Sequence, residues 1–171
     1  MYTIAEYKDH REEIRSGDLL VWSNDRVSVL SNCYLSIIRF FTTSEYAHVG
    51  IAIRIFGRLF VLEATSPYIR LAPVSLKDQF YHIPLKIKWN INYIDMLFQY
   101  IGCKYSMFDA IRGYLGLVLK KDDRWQCVEL AIDFYKKIGL DFGDNYTPTG
   151  FVKNVLEISK KPIYLVKNKG S

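Results

Sequence analysis

Hydrophobic positions along the chain change their spacing several times, and each change predicts an element. Residues 4–15 scatter Ile4, Tyr7 and Ile14 among charges, the pattern of a short amphipathic surface helix. Ser16-Gly17-Asp18 then marks a turn, and the apolar run 19–22 predicts a buried strand. Over 27–41, Leu30, Tyr34, Ile37, Ile38 and Phe41 recur at intervals of three and four, which predicts a helix with a wide apolar face. From residue 47 to 66 the period falls to two. Val49, Ile51 and Ile53 alternate with His48, Gly50 and Ala52, residues 59–63 continue the pattern, and Gly57 marks a turn between two strands. Residues 69–74 and 82–87 predict two more strands, with Pro73 and Pro84 at edges or strand ends.

After Trp89 the spacing becomes helical again. Ile94, Leu97, Phe98 and Ile101 predict one helix ending near Gly102. Phe108, Ile111, Leu115 and Val118 predict another, interrupted by Gly113 and Gly116. The clearest helix is 126–138, with Val128, Leu130, Ala131, Phe134, Tyr135 and Ile138 on one face and Gly139 as its C-cap. A shorter helix over 149–158 and a last strand over 163–166 complete an α+β chain. Its centre is an antiparallel, barrel-like β-meander with helices before and after it.

Composition narrows the class. With 171 residues, 50% of them hydrophobic and 24% charged, the chain fits a single domain over residues 1–171. Such a domain buries about two-thirds of its chain surface, so neither disulfides nor a structural metal is needed. Disordered, collagenous and coiled-coil classes are excluded. A net charge of +5 is within what solubility explains, and no basic helix is patterned, so no nucleic-acid partner is expected. Lys160, Lys161, Lys167 and Lys169 read as a solvated tail. Three cysteines without CxxC spacing point to free thiols in a reducing compartment. Glu6, Lys8 and Asp9 interrupt any signal-peptide core, and Ser28, Ser31, Asn32, Ser36 and Arg39 make 27–41 too polar to span a bilayer. The expectation is a cytoplasmic protein with no transmembrane segment, outside the cell only by lysis.

Three residues then stand out for chemistry. Cys127 opens the clearest helix, where backbone N–H groups and the helix dipole favour a thiolate and support an oxyanion. Alone, it would read as a small buried hydrophobe. His48 stands on a strand whose same-face neighbours, Gly50 and Ala52, leave room for a close approach. Glu63 is the only carboxylate in a strand of apolar residues and requires a partner. With a four-residue turn over 54–57, Ile53 faces Arg58 and His48 faces Glu63, about 4.5–5.5 Å apart at Cβ. A slip of one residue would separate them onto opposite faces. Nucleophile, base and orienting acid together make the thiol-hydrolase constellation.

The run His48-Val49-Gly50-Ile51, then Leu62-Glu63-Ala64, then Cys127-Val128-Glu129-Leu130-Ala131 with Phe134-Tyr135-Lys136 and Gly139-Leu140, resembles the circularly permuted NlpC-type papain-like superfamily. That group includes YaeF/YiiX-like amidases, poxviral and phage members, and lecithin:retinol acyltransferase-like enzymes. The opening Gly17-Asp18-Leu19-Leu20 resembles the start of such domains, so the likeness covers residues 17–140. It implies a permuted papain-like fold in which the histidine strand precedes the cysteine helix. It also implies Cys127 as nucleophile, His48 as base and Glu63 as third member. Val128 departs from the small residue common after the cysteine. Tyr105, in Gly102-Cys103-Lys104-Tyr105, resembles a glycine-plus-tyrosine region that often precedes the cysteine helix in these proteins, where its hydroxyl could contact the thiol or a substrate; with 13 tyrosines in the chain, core packing explains it at least as well.

The remaining candidates have plainer readings. Cys33 and Cys103 fit packing roles, His82 a strand end, and His10 an exposed charged helix. No set of residues has zinc-ligand spacing, and Gly113-Tyr114-Leu115-Gly116 lacks the Lys-Ser/Thr of a phosphate loop, so no cofactor is expected. The leading expectation is a cysteine-dependent hydrolase of amide bonds, acting on small amides or peptides of cell-wall type through an acyl-thioester. A lipid thioesterase or acyltransferase shares the chemistry and differs in acyl pocket and acceptor. A non-catalytic binding module would have no need of the matched Cys127, His48 and Glu63.

Overall fold

A computed structural model of the chain describes residues 2–23, 45–106 and 124–168. The helix expected over 27–41, with Cys33, the stretch around 108–118 and Lys169 lie outside the described residues.

Strand β1 (Thr3–Glu6) leads into a single helical turn, α1 (Tyr7–His10). Strands β2 (Leu19–Ser23), β3 (Tyr46–Ile55), β4 (Arg58–Ala64) and β5 (Ile69–Pro73) follow as an antiparallel meander. A 3₁₀ turn at Val74–Leu76 precedes β6 (Gln79–Ile83), and α2 (Asn92–Phe98) comes next. The short strands β7 (Lys104–Tyr105) and β8 (Arg124–Trp125) pair in parallel and deliver the chain to α3 (Cys127–Lys137). Helix α4 (Pro148–Ser159) and strand β9 (Tyr164–Lys167) complete the order.

The main sheet runs β1-β9-β6-β2-β3-β4-β5, antiparallel except where β1 joins β9. Its ladder ends at β1 and β5, so among the described residues it is an open sheet and not a barrel. The fold class is the α+β expected. The first element differs. Thr3 to Glu6 pair with Tyr164 to Lys167, so sheet hydrogen bonds take the start of the segment whose spacing predicted a helix over 4–15. The strand expected over 82–87 begins three residues earlier and stops before Pro84, which has no N–H to give a ladder.

Two apolar layers flank the sheet. On one face Leu19, Val49, Ile51, Ile53 and Leu62 pack against Val128, Leu130, Phe134 and Tyr135 of α3 and Phe151, Val152 and Val155 of α4. On the other, Leu20, Ala52, Val61, Phe80 and Val166 pack around Ile14. Each fully buried aliphatic or aromatic side chain of this kind stabilises by about 1.5–3 kcal/mol. The Tyr135 hydroxyl donates to the Gly17 carbonyl at 2.9 Å and ties α3 to the turn before β2. No helix among the described residues is long and apolar enough to cross a membrane.

The β3–β4 hairpin is tighter than a four-residue turn. Ile55 faces Arg58, and Phe56 and Gly57 have φ of 48° and 75°, the paired positive values of a two-residue type I′ turn. Ile51 therefore faces Leu62, and the same register sets Glu63 opposite Gly50. His48 lies diagonal to Glu63 and not directly across. The shift is two residues, an even number, so both stay on one face.

Candidate active site

Three elements converge on His48 of β3. Trp22 of β2 is its cross-strand partner, with ring centroids 5.4 Å apart. Glu63 reaches it diagonally from β4: Glu63 Oε2 lies 3.3 Å from His48 Nε2. The start of α3 brings Cys127 close enough to His48 for each side chain to shift the other's titration. Gly50 is what allows β3 and β4 to meet so closely here, because a Cβ built on it would sit 2.5 Å from Val61 Cγ2. The space beside the histidine that Gly50 and Ala52 left open is filled by Val61.

Glu63 is only 2% exposed and holds more than the histidine. Arg70, directly opposite on β5, donates through Nε at 3.0 Å, and Lys77 Nζ donates to both carboxylate oxygens at 2.8 and 2.9 Å. The Lys77 ammonium also lies 5.3 Å from the Trp22 ring centroid. Burial would raise the Glu63 carboxyl, but bonds and charge from His48, and then from Lys77, hold it well below the usual carboxylate range.

Cys127 begins α3, and the Glu129 carboxylate accepts from the Gln126 N–H just before it, half of a capping box. Burial pushes the thiol up. The charge and hydrogen bond of His48, together with the N–H groups of Val49 and Val128, outweigh burial and bring it below its ordinary value. The histidine responds in the opposite sense. Burial lowers the imidazole, yet the charge and hydrogen bond of Cys127, and then the bond and charge of Glu63, push it up to about 9. Both shifts favour the thiolate–imidazolium form of the pair over the neutral one. The imidazole keeps 24% exposure and Cys127 keeps 6%, so a small molecule meets the ring before the sulfur.

The structure thus brings together His48, Glu63 and Cys127. Tyr105 pairs with Trp125, two residues before Cys127, and its ring packs against the main core beside α3. Cys103 is half-buried after α2, with its thiol 3.7 Å from the Gln99 carbonyl. Sequence patterns did not single out Trp22, Arg70 or Lys77. Trp22 follows from extending the meander back to β2, whereas Lys77 lies beyond a 3₁₀ turn with no period to mark it. His10 was expected on an exposed helix, yet it is buried, 2.9 Å from His82 Nδ1, because the turn of α1 packs inward over β6 and β9. Among the described residues, no group of three or more His, Cys, Asp or Glu is arranged to hold a metal ion.

No family model matches the chain, and no curated protein matches it. Its fold is similar to that in the crystal structure of metalloprotein yiiX from Escherichia coli O157:H7, with a TM-score of 0.55, 15% sequence identity and 88% of each chain covered. The α+β architecture described here, a large and mostly antiparallel sheet with helices against it, is therefore shared with that protein.

Proposed function

We propose that the protein is a cysteine-dependent hydrolase of amide bonds, with a permuted papain-like order in which the histidine strand precedes the cysteine helix. The observation that carries this reading is the pairing of Cys127 with His48, in which a buried thiol is lowered and a half-buried imidazole raised. Structural cysteines in apolar surroundings shift the other way.

The chemistry follows from the partners. With His48 Nε2–H given to Glu63, Nδ1 is the nitrogen left to exchange a proton with the thiol. The Cys127 sulfur attacks the amide carbonyl, and the carbonyl electrons move onto oxygen. When the C–N bond breaks, the imidazolium gives its proton to the leaving amine, and an acyl-thioester remains. Water then attacks that thioester with His48 taking its proton, which releases the acid and restores the thiol. Substrates of this reading are small amides and peptides, those of cell-wall type among them.

The test is alkylation by an electrophilic thiol reagent near pH 7, peptide mapping of the label, and turnover on a panel of peptide amides. Labelling is expected at Cys127 ahead of Cys103 and Cys33. Cys127→Ala should lose the label and all turnover and still fold, with a cooperative unfolding transition. Preferential labelling elsewhere, or turnover retained by Cys127→Ala, overturns the reading.

A further inference from the structure

A second polar cluster lies away from His48 and Cys127 and shares no residue with them. Asp18 is buried, yet its carboxylate is fully engaged: Oδ2 accepts from the Arg15 N–H at 2.8 Å, and Oδ1 accepts from the Leu85 N–H at 2.8 Å. His82 Nε2 lies 2.9 Å from Oδ2, and His82 Nδ1 lies 2.9 Å from His10 Nε2. A carboxylate only accepts, so the protons are fixed in order: His82 Nε2–H donates to Asp18, and His10 Nε2–H donates to His82 Nδ1. This leaves His10 Nδ1 as the ring nitrogen at the end of the relay. It accepts when His10 is neutral and donates when His10 is charged.

The relay forms one wall of a cavity of about 530 Å³, within the range of small-molecule sites. Arg15, Lys86, Lys160 and Lys161 line it as well, against the carboxylates of Glu13 and Asp18. None of these four cations forms an ion pair among the described residues. Lys86 and Lys160 have φ of 53° and 50°. For Lys160 this is the left-handed cap that ends α4. Lys160 and Lys161, which read as part of a solvated tail in the sequence, line this cavity beside Pro162, with Lys160 still exposed.

We propose that this cavity binds a small phosphoryl-type dianion, with Lys86, Lys160 and Lys161 supplying charge and His10 Nδ1 a directed hydrogen bond. Two cations in excess match a dianion, and ammonium groups beside a histidine suit tetrahedral oxygens. Binding takes up a proton at His10 and tightens as pH falls. His10 is lowered by burial and by His82, while Glu13 and Asp18 oppose this; the Tyr164 ring lies tilted against it, and the lysines line the same cavity.

Calorimetric titration of the whole protein with sodium sulfate and with pyrophosphate, at constant ionic strength in chloride, tests this. Sulfate keeps two charges at both pH 6 and pH 8, so any pH dependence belongs to the protein. Both anions should bind, and sulfate should bind roughly fivefold tighter at pH 6. The double variant Lys160→Ala, Lys161→Ala should bind about tenfold more weakly and keep the Cys127 alkylation rate. His10→Gln keeps a donor for His82 and should lose the pH dependence. Failure of both anions to bind above chloride, or unchanged affinity in the lysine variant, overturns the site. Binding that ignores pH overturns the role of His10. If His10→Gln does not fold, the pH dependence of the lysine variant's residual binding decides that role.

Discussion

His48 is held charged mainly by Cys127, with Glu63 second, against burial that works the other way. Cys127→Ala removes the larger support and leaves the burial. In that variant the imidazole should titrate near or below its ordinary 6.5 instead of about 9, read from its ring proton shifts by NMR. A value still near 9 would mean that Glu63 alone suffices. Glu63→Gln acts differently. The amide still accepts from His48 Nε2–H, but Arg70 and Lys77 lose their carboxylate and stand as two unpaired cations beside the imidazolium. The thiol should rise, with alkylation at pH 7 slowed about tenfold per unit of rise and recovered at alkaline pH. Turnover should fall less than in His48→Ala, and an unchanged alkylation profile would remove Glu63 from the site. Cys127, His48 and Glu63 were legible because each breaks a local pattern: a thiol at a helix start, and a histidine and a carboxylate in apolar alternation. Arg70 and Lys77 were not, because cations near a sheet edge are common and only the fold shows which carboxylate they share.

The hairpin shows what an element reveals in advance. Period-two alternation gives the parity of each strand, and parity is what keeps His48 and Glu63 on one face. The turn length was hidden in Phe56, whose positive φ is unusual for a bulky residue. The parallel pairing of β1 with β9 was hidden for a different reason: Thr3 and Tyr164 are far apart in sequence, and no local spacing records such a contact. Gly50 is the position where packing of the hairpin and geometry of the site meet. In Gly50→Ala the new methyl would sit 2.5 Å from Val61 Cγ2 and 3.0 Å from the Leu62 carbonyl oxygen, so β4 must move. The expected cost is about 1–3 kcal/mol in urea unfolding, with slower Cys127 alkylation as Glu63 is displaced from His48. A variant of full stability and unchanged alkylation would show that the close approach of β3 and β4 does not set the site.

Over the whole molecule these shifts combine into a dependence of stability on pH. A raised imidazole contributes stability that is complete below its unfolded value of 6.5 and lost as pH rises through about 9. A lowered thiol contributes stability that is complete above its unfolded value of 9.0 and lost as pH falls toward its folded value. Between 6.5 and 9 the two slopes oppose each other, because folding only moves one proton from sulfur to ring. Below 6.5 the unfolded chain takes up a proton that the folded pair does not, and stability falls by up to about 1.4 kcal/mol per pH unit. Glu63, lowered as well, adds a further loss where the unfolded carboxylate protonates, near its ordinary 4.5. His10, also lowered, steepens the acid limb in the same sense. Subtracting the profile of Cys127→Ala isolates the pair, since Glu63 and the His10 relay remain in both proteins. The difference in urea unfolding free energy should be constant from pH 7 to 8.5 and shrink below about 6.5 as His48 of the variant takes up its proton in the folded state. A difference that instead changes between 7 and 8.5 would mean that the folded pair does not hold one shared proton over that range.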